Sequence, residues 1–185
     1  MCSGVLNCEG MADRSAVLAT HSGALFRYLC RAVGEAEAAR DLTQEVFLRA
    51  TRTPMPANGN GHVTAWLFRI ARNLALDYHR GQRRHPPVEV LRDQVARSAS
   101  QDVELAVNQA LASLTDLDRD VFLMREVAGL GYEQIAAACE LTPDAVRSRI
   151  CRARLALREQ LAAPIATSRG PAAQRSLNTK TRTDQ

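Results

Sequence analysis

The sequence has few aromatic residues and almost no lysine. Aromatic side chains make up 4% of the 185 residues, so a hydrophobic core would consist mainly of leucine, valine, isoleucine and alanine. β-Strands recruit aromatic and β-branched residues, and this composition therefore favours helices. Of the 24 basic residues one is a lysine, Lys180. Such an arginine bias partly reflects GC-rich coding and does not by itself indicate DNA binding.

The cysteines lack the number and the spacing of a disulfide framework or a zinc site. There are five of them, scattered without a CxxC pair, and the four histidines lie far apart. We therefore expect no metal and no cofactor. Cys30, Cys139 and Cys151 fall within helical patterns, where a thiol packs as a small apolar side chain.

Long apolar runs and catalytic motifs are also missing. No run reaches the roughly 20 apolar residues that a membrane-spanning helix needs, and no signal-peptide pattern opens the chain. No nucleophile with a base and no phosphate-binding loop is visible, so an enzyme is not expected. The net charge of +4 favours a polyanionic partner. We expect a reduced, cytoplasmic protein that does not insert into membranes.

Hydrophobic periodicity predicts an all-α chain with two small helical domains joined by a flexible linker. The first domain would cover residues 14–84 and the second 102–162, with a charged, proline-containing linker at 85–101. The segment 1–13 and the basic tail 163–185 have no periodicity and are expected to be disordered.

Capping residues predict where individual helices begin and end. Gly34 would end the first helix, while Thr64 and Gly81 would bound the third. In the second domain, Thr115 and Thr142 are the predicted N-caps. The predicted helices are 14–34, 35–52, 64–80, 102–113, 115–128, 132–139 and 142–162.

The stretch "YEQIAAACELTPDAVRSRICRARLALREQL" sets a short helix, a three-residue turn and an arginine-rich helix in succession. This order is typical of a helix-turn-helix, whose second helix enters the DNA major groove. There, arginines can pair with guanine or neutralise phosphate. The apolar stripe that would hold this helix on the domain is Val146, Ile150, Ala153, Leu157 and Leu161.

Two other interpretations of this stretch stay open, a solvated basic helix and an amphipathic helix for a protein partner. One residue also departs from the pattern. Helix-turn-helix turns usually place glycine where this chain has Glu140, and a left-handed backbone there costs another residue on the order of 1 kcal/mol. We therefore expect a slightly atypical turn.

Three segments, in this order, resemble the extracytoplasmic-function (ECF) sigma factors of bacterial RNA polymerase. They are "ARDLTQEVFLRA" (39–50), "AWLFRIARNLALDYHRGQRR" (65–84) and "LTDLDRDVFLMREVAGLGYEQIAAACELTPDAVRSRICRAR" (114–154). They look like the family's polymerase-binding helix, its minus-ten helix and its fourth region. The resemblance implies that the first domain is sigma region 2 and the second is sigma region 4, with the helix-turn-helix at about 131–154.

The resemblance also implies roles for particular residues. Contacts with core RNA polymerase fall to Asp41, Leu42, Gln44, Glu45 and Phe47. Contacts with the minus-ten element fall to Trp66, Arg69, Asn73 and Arg80. Contacts with the minus-thirty-five element fall to Arg147, Ser148, Arg149 and Arg152. From the residues alone, Asp41 and Glu45 could simply pair with Arg40 and Arg49, and Trp66 could belong to the hydrophobic core.

The function that the resemblance implies is promoter recognition, DNA melting and transcription initiation. The implied partners are core RNA polymerase (its beta-prime clamp and beta flap), promoter DNA and an anti-sigma factor. Two rival hypotheses are a helix-turn-helix regulator of the response-regulator type and a sigma-like adaptor that binds only proteins. The first would need a receiver domain with buried strands upstream of Leu114, and no such pattern is present.

Overall fold

The fold is a set of seven helices in a computed structural model that describes residues 8–56, 59–84 and 99–162. No strand occurs within these ranges, which agrees with the predicted all-α class. The helices are α1 (Cys8–Val33), α2 (Ala36–Arg52), α3 (Gly59–Arg84), α4 (Ala99–Ala112), α5 (Asp116–Glu126), α6 (Tyr132–Cys139) and α7 (Pro143–Ala162). The tail predicted at 163–185 and most of the predicted linker lie outside the described residues.

Helices α1 and α4 begin earlier than predicted. α1 begins at Cys8 rather than Arg14, so part of the segment predicted to be disordered is helical. α4 begins at Ala99, within the predicted linker. Once a helix has formed, extending it by a further residue costs far less than starting one, even without apolar periodicity. The apolar pattern therefore marks the packed part of each helix and not its full length.

The predicted ends of α3 were wrong. Thr64 is buried inside the helix instead of capping it, since α3 begins at Gly59. The helix also continues through Gly81 to Arg84. An internal glycine costs a helix only about 1 kcal/mol relative to alanine, which the packing of a 26-residue helix can offset.

The predicted caps of the helix-turn-helix half are present. Thr115 Oγ1 accepts a hydrogen bond from the Asp118 amide, and Thr142 Oγ1 accepts one from the Ala145 amide, both at 3.2 Å. Glu140, between α6 and α7, has a φ of 57°, which is the left-handed backbone that the turn was expected to require. The local chemistry of the helix-turn-helix was thus predicted correctly.

Each half of the chain has its own buried centre. In the N-terminal half, α1, α2 and α3 enclose fully buried side chains, and the rings of Tyr28 and Phe68 meet edge to face at 5.5 Å. In the C-terminal half, α5, α6 and α7 bury Val121, Ile135 and Val146. These buried residues form one continuous cluster across both halves.

The halves pack together through α3 against α6 and α1 against α5. Where they meet, Asp120 on α5 accepts two hydrogen bonds from the other half. Tyr28 Oη donates to its Oδ1 at 3.0 Å, and Arg72 Nε donates to its Oδ2 at 2.9 Å. Burial raises the pKa of Asp120 above its ordinary value, although Arg72 and Tyr28 act to lower it. We call Tyr28, Arg72 and Asp120 the interdomain triad.

Replacing Glu140 by glycine should stabilise the chain by about 1 kcal/mol, because glycine adopts left-handed backbone without the Cβ clash. The ion pair that Glu140 forms with Arg69 is long, at 3.9 Å, and exposed, so its loss should matter little. The measurement is urea denaturation followed by circular dichroism.

The control is Ala137→Gly, at an exposed helical position of α6, where glycine should destabilise the chain by about 1 kcal/mol. A Glu140→Gly chain no more stable than the wild type would show that the turn is not strained.

Candidate functional site

Helix α7 lies on the domain through one face and presents arginines on the other. Four members of its predicted apolar stripe, Val146, Ile150, Ala153 and Leu157, are buried. The fifth, Leu161, is 50% exposed and does not belong to the buried face, since it lies in the last turn of the helix. The opposite, arginine-bearing face of α7 is therefore accessible to a partner that has a groove.

The four residues predicted to contact the minus-thirty-five element are not equally accessible. Arg147, Ser148 and Arg152 are exposed. Arg149 is half-buried, and its Nη1 donates to Asp118 Oδ1 at 2.7 Å, which ties α7 to α5. That pair uses Nη1 and leaves other N–H groups of the partly exposed guanidinium without a hydrogen bond to Asp118.

An aromatic stack that sequence reasoning missed fixes the start of α7. Two guanidinium groups lie over the ring of Tyr132, with Cζ of Arg125 at 4.8 Å and Cζ of Arg147 at 5.4 Å from the ring centroid. Arg125 Nη1 is itself held by the carbonyl of Leu130 at 2.8 Å, and Arg147 pairs with Asp144 at 2.5 Å. The N-terminal residues of a recognition helix are those that reach base edges, so this stack orders an arginine where it matters.

The predicted minus-ten face of α3 is partly exposed. Arg69, Asn73 and Arg80 lie on the surface, whereas Trp66 is 8% exposed and packs in the hydrophobic core. The interpretation of Trp66 as a core residue therefore matches the structure. Arg69 also faces Glu140 of the helix-turn-helix turn.

The predicted polymerase-binding residues all lie on α2. Asp41 and Gln44 are exposed, and Leu42 and Phe47 are partly buried against the hydrophobic core. Glu45 pairs with Arg49 at 2.8 Å, which is the surface ion pair that the alternative interpretation predicted for this residue. Among these five residues, the fully exposed polar side chains are thus Asp41 and Gln44.

Among the described residues, no group of three or more His, Cys, Asp or Glu side chains could hold a metal ion, and no helix is both long and apolar enough to cross a membrane. Cys139 is buried, and burial raises the pKa of its thiol to about 11. Cys151, expected to pack as an apolar residue, is instead exposed on α7. It lies beside Ile150 but on the arginine side of the helix.

Comparisons with known proteins identify the family. The model described as Sigma-70 region 2 matches residues 17–85, and the model described as Sigma-70, region 4 matches residues 104–157. The ECF RNA polymerase sigma-E factor of Haemophilus influenzae is 34% identical over 152 residues, covering 72% of this chain and 77% of that protein. The chain is an ECF sigma factor. It is 31% identical to the RNA polymerase sigma-H factor of Pseudomonas aeruginosa over 72% of this chain and 78% of that relative.

Solved structures with the same fold are also sigma factors. CnrH in complex with the cytosolic domain of CnrY matches 83% of this sigma factor and 90% of that chain, with a TM-score of 0.61 and 25% identity. The sigma factor RpoE of Bartonella quintana, in complex with the anti-sigma factor NepR, matches with a TM-score of 0.56 over 84% of this chain and 98% of that one, at 24% identity. Promoter recognition by RNA polymerase is therefore the function of this protein, and the two rival hypotheses are not favoured.

Asp118→Asn should lower the free energy of unfolding at pH 7 by about 1 kcal/mol, since it removes the charge that Arg149 binds. Burial alone would raise the pKa of Asp118, but hydrogen bonds from Arg149 and Thr115 bring it below its ordinary value. An acid with a lowered pKa stabilises the fold above its unfolded pKa, and this contribution is lost as the pH falls through the folded pKa. The difference between wild type and variant should thus shrink as the pH falls below the unfolded pKa of about 4, and disappear once the pH is below the lowered folded pKa.

Thermal denaturation of both chains between pH 3 and pH 7 measures this difference. Glu159→Gln, at an exposed position of α7 without an ion pair in the described structure, is the control and should change little. A wild-type advantage that persists unchanged at pH 3 would contradict the role of the Asp118–Arg149 pair.

Proposed function

We propose that this sigma factor reads the minus-thirty-five element with the N-terminal half of α7 and contacts the beta flap of core RNA polymerase through region 4. One observation carries the proposal: the buried stripe fixes α7 while Arg147, Ser148 and Arg152 face outwards from its first turns. A helix of this kind, projecting arginines from its N-terminal half, fits the major groove. Arg149 contributes by holding α7 on α5, and the remaining N–H groups of its partly exposed guanidinium would be available to a phosphate.

Region 2, residues 14–84, would bind core RNA polymerase and the minus-ten element through different helices. The exposed face of α2 around Asp41 and Gln44 would dock on the beta-prime clamp. The surface of α3 formed by Arg69, Asn73 and Arg80 would meet DNA where the strands separate. Trp66 could act as a wedge at an unstacked base step only if it left its buried position.

The remaining assignments follow from this placement. Residues 85–101 would link region 2 to region 4 (102–162), and the protein would have no catalysis of its own and need no cofactor. It would act in the cytoplasm together with the polymerase. An anti-sigma factor would regulate it, because both solved relatives carry a bound partner and one of these partners is named an anti-sigma factor.

Arg152→Ala should weaken promoter binding by about 1–3 kcal/mol if this side chain contacts a base or phosphate. Run-off transcription from a cognate promoter with core polymerase measures the loss, and a pull-down checks that polymerase binding is intact. The matched control is Arg158→Ala, which removes another exposed arginine further along α7 and should have a smaller effect. Equal transcription by the wild type and Arg152→Ala would contradict the proposed placement of α7 in the major groove.

Asp41→Ala should reduce the affinity for core polymerase several-fold while leaving the fold intact, because Asp41 is exposed and not paired with an arginine among the described residues. Competition against a labelled sigma factor measures the affinity. Glu37→Ala removes one exposed negative charge from the first turn of the same helix and serves as the control. Matching affinities for the two variants would show that α2 does not dock through Asp41.

A further inference from the structure

The arginines of α7 differ in what restrains their side chains. Arg149 and Arg154 donate to carboxylates of α5. Among the arginines of α7 that the structure describes, Arg147 is the one that lies over an aromatic ring, with its Cζ 5.4 Å from the centroid of Tyr132. A guanidinium within about 6 Å of a ring centroid is attracted by the face of that ring. The contact therefore limits where the guanidinium of Arg147 points.

The ring of Tyr132 is itself held in place. Tyr132 is the first residue of α6, directly after the N-cap Gly131, whose amide donates to Gln134 Oε1 at 2.8 Å. Arg125, near the end of α5, lies over the same ring with its Cζ 4.8 Å from the centroid, and its Nη1 donates to the carbonyl of Leu130 at 2.8 Å. Leu130 is buried. The ring is thus supported from α5, from the loop before α6 and from α6 itself.

The ion pair between Arg147 and Asp144 does not provide the same restraint. Both side chains are mostly exposed, at 58% and 88%, and an ion pair of that kind on a helix surface holds its members weakly. The hydrogen bond to Asp144 uses Nη1, whereas a guanidinium has five N–H donors on three nitrogens. N–H groups are therefore left for a second acceptor, and the ring of Tyr132 sets their direction.

Reading a base and neutralising a phosphate make different demands on an arginine. A guanine offers O6 and N7 in one plane, and a bidentate pair forms only when the fork of the guanidinium is aligned with both atoms. A phosphate accepts a cation from many directions. Ordering the side chain before binding reduces the conformational entropy that is lost when the pair forms. A pre-ordered arginine therefore contributes most where it discriminates between bases.

We propose that Tyr132 and Arg125 are positioning residues that hold Arg147 in the orientation in which it reads a guanine of the minus-thirty-five element. Arg147 lies in the second turn of α7, and the N-terminal residues of a recognition helix are those that reach base edges. Tyr132 and Arg125 act through Arg147 and need not touch DNA. The inference deepens the proposed function and rests on it, because Arg147 discriminates between bases only if α7 lies in the major groove.

Selection from a DNA library tests the role of the ring. Core polymerase with the full-length chain is mixed with promoter fragments whose minus-thirty-five segment is randomised, and the bound fragments are sequenced. Arg147→Ala should lower the preference for guanine at one base pair about tenfold. Tyr132→Leu removes the ring but keeps an apolar side chain, and it should lower the preference at that same base pair about three- to fivefold. Tyr132→Phe keeps the ring and should select as the wild type does.

Two further variants separate positioning from general damage to region 4. Arg125→Gln removes the cation that supports the ring and should cause a smaller loss, about twofold, at the same base pair. In the Arg147→Ala background, Tyr132→Leu should cause no further change there, because a positioning residue acts only through the residue that it positions. The matched control is Arg158→Ala, an exposed arginine of α7 away from the ring, which should leave every base preference unchanged.

The inference is overturned if Arg147→Ala or Tyr132→Leu keeps the wild-type preference, or if Tyr132→Phe behaves like Tyr132→Leu. A loss spread evenly over all base pairs also overturns it, since that result describes damage to the fold. If Tyr132→Leu loses its helical circular dichroism, Arg125→Gln decides, and either its unfolding or an unchanged preference counts against the inference. A wild type that enriches no minus-thirty-five sequence would refute the proposed function and the inference together. A wild type that selects guanine without the help of Tyr132 would refute the inference alone.

Discussion

The carboxylate of Asp120 sets the constraint on which the arrangement of the two regions depends. It is buried at a position of α5 from which water is excluded, and its two donors come from α1 and α3 of the other region. An unpaired buried charge is far more costly than a paired one, and in this orientation of region 4 both donors reach Asp120. Contact of α3 with α6, which brings Arg69 to Glu140, is compatible with that orientation.

Helix α5 organises region 4 through carboxylates that point in different directions. Asp118 and Asp120 are two positions apart, so they lie on nearly opposite sides of the helix. Asp118 is paired with Arg149 of α7, whereas Asp120 is paired across the interface. At the other end of α5, Glu126 binds Arg154, a second connection to α7. Helix α5 thus holds the recognition helix α7 at two points and also contacts region 2. The orientation of α7 and the contact between the two regions both depend on α5.

Local patterns predicted the helices and the turn, but not the contacts between distant segments. The stripe from Val146 to Leu157 and the caps at Thr115 and Thr142 were readable because each depends on neighbours within four residues. The start of α3 was missed because a polar, glycine-containing segment is helical there only in its tertiary context. Tyr28 and Asp120 are 92 positions apart, a pairing that no periodicity shows, although an aspartate in the otherwise apolar face of α5 was a signal that could have been noticed. Helical spacing accounted for the exposure of Arg147, Ser148 and Arg152, but not for the burial of Trp66 or for the hydrogen bond from Arg149 to Asp118.

The same intramolecular pairs limit how the recognition helix can bind DNA. Arg147, Arg149 and Arg154 each lie against a carboxylate of the protein, so part of their charge is already neutralised before a phosphate approaches. Arg152 is exposed and forms no ion pair among the described residues, although its charge helps to lower the pKa of Asp118. Since affinity for DNA grows with the number of phosphates neutralised, a helix with few free cations binds DNA weakly by itself. A polymerase that binds region 2 would keep region 4 near the promoter at a high effective concentration. Weak contacts between α7 and DNA would then suffice for recognition. The ordered, partly neutralised arginines of α7 therefore suit a helix that discriminates between DNA sequences as part of a larger assembly. They suit less well a helix that binds DNA tightly by itself.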